Sequence, residues 1–125
     1  MRRLSIGFIS QDWSQFKDSY VPNGCTWYRC VLPSNALNAL GHESHIGMGV
    51  IQEKKFFLLE GKSTVIGGHE ILVFKLPMHI SNLEGAKMAI DSGQKVVVDI
   101  DDWFDNLPDT NRAKQITDPE TNPTN

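Results

Sequence analysis

Residues Leu4 to Ser10 read LSIGFIS, a short run of mostly apolar residues with no polar face. Its length is that of a strand, and the lack of alternation suits a strand covered on both sides, as in a parallel sheet. Three later segments share that character: His45–Val50 (HIGMGV), Glu70–Leu76 (EILVFKL, closed by Pro77), and Lys95–Ile100, where three consecutive valines give the strongest strand signal in the chain.

Two stretches carry helical spacing instead. Between Cys25 and Leu40, apolar residues recur at Tyr28, Val31, Leu32, Ala36, Leu37 and Leu40, and Gly41 supplies the stop. Pro33 falls inside this pattern, so the helix is expected to be kinked or loosened in its first turns. Asn82–Ser92 places Leu83, Ala86, Ala89 and Ile90 on one face, with Ser81 as N-cap, Glu84 three residues on and Gly93 as the stop. Strand, helix and strand in this order make a βαβ unit.

The rest is punctuation or polar chain. The segment from Gln11 to Gly24 is polar, with Pro22, Asn23 and Gly24 at its end, and is expected to be a long loop. Phe56–Leu59 suggests a short helix, broken afterwards by Gly61, Gly67 and Gly68. Beyond Pro108 almost nothing apolar remains except Ile116, so 109–125 is expected to be a tail or linker.

With 125 residues the chain has room for one core. The expected fold is α/β, a Rossmann-like three-layer domain over 1–108 with a mostly parallel sheet of about four or more strands. Hydrophobic residues make up 40% and charged residues 22%, the balance of a globular domain. A net charge of −3 argues against a nucleic-acid surface, which needs a basic footprint. No run reaches the roughly 20 apolar residues of a membrane span, and no signal peptide is seen, so a cytoplasmic protein is expected. Cys25 and Cys30 have neither redox-pair nor zinc spacing, and no metal site is expected at His42 and His45.

In an open parallel sheet, ligands bind beyond the carboxyl ends of the strands. The loop and helix start at 11–29, the turn at 77–81 and the acidic segment from Asp99 to Asp105 share that edge. Asn23-Gly24-Cys25-Thr26 leads into a helix whose first amides are unpaired; Gly24 either permits close approach of a ligand or makes a tight turn, and Thr26 either meets the ligand or caps the helix. Arg29 either points a donor fork at the site or pairs on the surface. Asp101 or Asp102 accepts hydrogen bonds from ligand hydroxyls, or is a solvated loop acid. A phosphate loop at Gly61-Lys62-Ser63 fails because Phe56 stands in place of its first glycine.

The first strand, GCTWYRCVLPSNALNALGHE (24–43), EILVFKLP and KVVVDIDDWFDNLP (95–108) together resemble the N-terminal half of GT-B glycosyltransferases, nearest to family-4-like enzymes of bacterial and bacteriophage type. The resemblance implies the acceptor-side part of a hexosyltransferase that moves a sugar from a nucleotide-sugar donor to an acceptor. It implies a second domain beyond 109–125, no bound cofactor or metal, and substrate contacts from Gly24, Cys25, Thr26, Tyr28, Arg29, Asp101 and Asp102. It assigns no catalytic base. The alternative is a stand-alone, non-catalytic α/β binding or protein-interaction module.

Overall fold

The computed structural model describes residues 2–61, 64–75 and 80–100, with 80 and 81 described by backbone alone. Eight strands form: β1 Ser5–Ile9, β2 Trp13–Phe16, β3 Ser19–Pro22, β4 Glu43–Gln52, β5 Lys55–Glu60, β6 Thr64–Ile66, β7 Ile71–Lys75 and β8 Lys95–Asp99. Six make one sheet in the order β6-β5-β4-β1-β7-β8, and β2 with β3 makes a separate hairpin. Strands β4, β1, β7 and β8 are parallel to one another, whereas β5 is antiparallel to both β4 and β6.

This corrects the expected fold. In place of a helix-rich three-layer Rossmann domain there is a mixed sheet dominated by strands, and the described residues contain only two helical stretches. The difference lies in two segments. Phe56–Leu59, read as a short helix, is strand β5, folded back onto β4 with Phe56 opposite Ile51 and Leu58 opposite Gly49. Its two-residue turn is made by Glu53 (φ 51°) and Lys54 (φ 61°), neither of them a turn-forming type, so no sequence signal announced the hairpin. The supposed loop at 11–24 likewise contains the β2–β3 hairpin, with Lys17 at φ 55° in its turn.

The parallel core follows the sequence pattern closely. Along β1, Ile6 and Phe8 face one side while Ile9 faces the other; along β7, Ile71 and Val73 go with the first pair, and Leu72 and Phe74 with the second. Cys30 and Leu37 of the first helical stretch cover the Ile6–Phe8 side. Ala86, Met88 and Ala89 of α3 (Ile80–Asp91) cover the other, together with Phe56 and Leu58. Right-handed crossovers that step in opposite directions from β1 and from β7 leave their helices on opposite faces.

The first stretch runs as α1 Gly24–Thr26, a π-helical turn Trp27–Val31, and α2 Leu32–Ala39. The wide turn lies immediately before Pro33, which has no N–H to give to the ladder, so the expected loosening takes this form. Gly41 (φ 94°) closes the helix: its N–H bonds to the Asn38 carbonyl and that of His42 to the Leu37 carbonyl. Gly93 (φ 89°) repeats the device on α3, with Gly93 bonding to Ile90 and Gln94 to Ala89. At its start α3 departs from expectation, since the helix begins at Ile80, one residue before Ser81.

Candidate functional site

The connection leaving β1 leads to β4, on one side, and that leaving β7 leads to β8, on the other. The crevice beyond the carboxyl ends of β1 and β7 is therefore the point where the strand order reverses, the usual ligand position in an open α/β sheet. Polar side chains from five segments gather there.

The turn after β1 is built around a closed ring of hydrogen bonds. Thr26, 0% exposed, donates its hydroxyl proton to the Asp12 carbonyl at 2.8 Å, so it can only accept from Ser10, whose hydroxyl is also 2.8 Å away. Ser10 Oγ in turn accepts the Asp12 N–H at 3.1 Å, and Trp13 Nε1 donates to the Ser10 carbonyl at 2.7 Å. This ring fixes Asp12 with its carboxylate half-exposed at the crevice mouth. The Asn23 amide donates to one carboxylate oxygen and accepts from Ser14.

Opposite Asp12, Lys75 ends β7 with its side chain buried, and its ammonium lies 3.9 Å from the second oxygen of Asp12. Gln11 Nε2 donates to Asn82 Oδ1 of α3 at 3.1 Å, which spans the crevice. On the other side of β7, Arg29 of the π-helical turn meets Asp99 at the end of β8, 2.8 Å away. Beneath them Cys30 is buried, and burial pushes its thiol up to about 11, a rise that Lys75 opposes and Asp99 reinforces. At neutral pH that thiol keeps its proton and is no nucleophile.

The sequence-derived candidates fall into three groups. Thr26 and Arg29 come to this crevice, Thr26 as a buried strut and Arg29 as an ion-paired donor. Gly24 and Cys25 open the helix beside it and are exposed; a Cβ at Gly24 would meet nothing within 4 Å, so the protein itself does not require glycine there. Tyr28, 71% exposed, projects away to solvent. Asp101 and Asp102 lie outside the described residues. Asn23 has no side-chain capping bond to the helix, because its amide is spent on Asp12 and Ser14.

Sequence reasoning missed Ser10, Asp12, Lys75 and Asn82. One signal was available: in EILVFKL a single lysine interrupts an apolar strand, and a buried lysine needs a reason. Among the described residues no group of three or more His, Cys, Asp or Glu side chains could hold a metal ion. None of their helices is long and apolar enough to cross a membrane. Comparison with protein-family models, with curated proteins and with solved structures finds no match.

Proposed function

We propose that the crevice at the carboxyl ends of β1 and β7 binds a polyhydroxylated, anionic ligand, and that the chain contributes the acceptor-side part of a glycosyltransferase using a nucleotide-sugar donor. The observation that carries the reading is the pairing of the half-exposed Asp12 carboxylate with the buried Lys75 ammonium across the strand-order reversal. A carboxylate accepts hydrogen bonds from sugar hydroxyls, and an ammonium and a guanidinium, here Lys75 and Arg29, attract phosphate. Gln11 and Asn82 add amides that can donate or accept, which suits hydroxyls on a ring of either orientation. The sequence resemblance to glycosyltransferases supplies the reaction class.

The test is a titration of isotopically labelled protein with nucleotide-sugars and with free oligosaccharides, followed by amide shifts. The reading expects shifts confined to the segments around Gln11–Asp12, Asn23–Arg29 and Asn82, and their loss in Lys75→Met. Lys75→Met should keep the fold, because methionine fills the same volume without a buried charge. Silence toward every nucleotide and sugar at millimolar concentration would sink the reading.

A second reading, a non-catalytic interaction module, draws on a different observation. Val97 and Val98, on opposite faces of the edge strand β8, and Ile100 just beyond it are each about half exposed, apolar surface of the kind that protein partners cover. Under that reading Val97→Lys abolishes partner capture while Lys75→Met leaves it intact.

A further inference from the structure

At the other end of the parallel strands lies a cavity of about 1000 Å³, bounded by the starts of β7 and β8, the segment before β1 and the close of α3. It is separate from the crevice above: Ile71 and Lys95 are first residues of their strands, Lys75 and Asp99 last. The volume is at the upper end of those that hold small organic ligands.

Its walls have two characters. Leu4, Phe57 and Ile71 give an apolar surface. Around it stand three cations, Arg2, Lys55 and Lys95, against one carboxylate, Glu70. Glu70 is matched by Arg2 at 2.8 Å, which leaves the charges of Lys55 and Lys95 uncompensated within the cavity wall. In a chain whose net charge is −3, such a local excess of positive charge runs against the overall field.

A third feature is His69, which lines the cavity at 3% exposure. Its Nε2 lies 3.1 Å from His45 Nδ1 and its carbonyl accepts from Gln94 Nε2 at 2.7 Å. The remaining ring nitrogen, Nδ1, has no hydrogen-bond partner among the described residues. A buried polar atom without a partner is costly, and a ligand atom in the cavity would relieve it.

We propose that this cavity is a second binding site, for a small organic anion with a flat apolar body, such as an aromatic carboxylate, sulfonate or phosphate ester. The apolar body lies against Phe57, Leu4 and Ile71, the anionic group reaches Lys95 and Lys55, and His69 Nδ1–H donates one hydrogen bond to it, its Nε2 then accepting from His45 Nδ1–H. This assignment does not depend on the function proposed for the opposite edge.

The experiment uses 8-anilinonaphthalene-1-sulfonate as the probe, with fluorescence for affinity and amide shifts for location. Saturable binding is expected, with shifts at Gly68, Gly93 and Gln94. Lys95→Glu should weaken it on the order of tenfold or more, as loss of a charge-assisted contact does, while Lys95→Arg retains it. N-phenyl-1-naphthylamine, which lacks the sulfonate, should bind at least as weakly as the probe binds to Lys95→Glu. If Lys95→Glu does not fold by circular dichroism, Lys55→Glu takes its place. Absence of binding, equal affinity in the charge-reversed variant, or shifts centred on the exposed Leu83 and Ile90 of α3 would each overturn the assignment.

Discussion

The hydroxyls of Ser10 and Thr26 lie 2.8 Å apart in a fully buried position, and this contact ties the end of β1 to the start of the first helix. Because Thr26 gives its proton to the Asp12 carbonyl, removing its hydroxyl strands the Ser10 proton and leaves that carbonyl with the Asn23 N–H as its remaining donor, 3.3 Å away. Thr26→Val should therefore cost about 2–3 kcal/mol, more than one net hydrogen bond, because the buried Ser10 hydroxyl loses its acceptor while the Asp12 carbonyl loses the shorter of its two bonds. Thr26→Ser should cost under about 1.5 kcal/mol. Urea unfolding of the two variants checks this, and equal losses would show that the methyl group matters and the ring of bonds does not.

His69 makes the fold sensitive to acid. Burial and the neighbouring His45 lower its pKa below the ordinary 6.5, with Glu43 opposing them. The unfolded chain therefore binds the proton more readily than the folded one. Stability is full above about pH 6.5 and falls as the pH drops toward the folded value. Denaturant midpoints should decline between about pH 7 and 5 in the wild type, with a smaller decline in His69→Gln.

At the alkaline end the sign reverses. The Cys30 thiol is pushed up to about 11 from 9.0, so the unfolded chain loses its proton first. Its contribution is intact below pH 9.0 and is lost as the pH rises toward 11. The same burial predicts chemistry: iodoacetamide at pH 8 should add once, at the exposed Cys25, and a second time only after denaturation. Two adducts on the native protein would contradict the placement of Cys30.

Two glycines separate packing from function. A Cβ at Gly47 would stand 2.3 Å from the Leu59 carbonyl oxygen and 2.5 Å from the Leu58 side chain, and backbone cannot step aside as a flexible side chain can. Gly47→Ala should cost about 3 kcal/mol, at the upper end of overpacking. At Gly24 there is open space, so Gly24→Ala should leave the melting temperature unchanged or raised. If the crevice ligand comes close to the helix start, the same change weakens its binding without touching stability.

The ion pair between Arg29 and Asp99 joins the π-helical turn to the end of β8 and is partly open to water. Solvent screening limits its contribution to under about 1 kcal/mol. Arg29→Ala should thus melt close to the wild type while weakening any response to nucleotide-sugars, and a large loss of stability would mark Arg29 as structural.

The sequence by itself determined the parallel core. Unbroken apolar runs fixed β1, β7 and β8, helical spacing fixed both helices, and Gly41 and Gly93 fixed where they stop, because each of these is a local property of covalent geometry or burial. It also identified the carboxyl edge as the place to look, and named Thr26 and Arg29 there. Only the tertiary structure decided the rest. Strand β5 exists because Phe56 and Leu58 find the α3 side of the sheet, a long-range choice that overrides the helical reading of four consecutive apolar residues. Asp12 and Lys75 become a pair only when β1 and β7 lie side by side, and His45 meets His69 only when the chain returns to begin β7. Pairings between residues tens of positions apart leave no periodic trace in one sequence, since each partner alone looks like an ordinary polar residue.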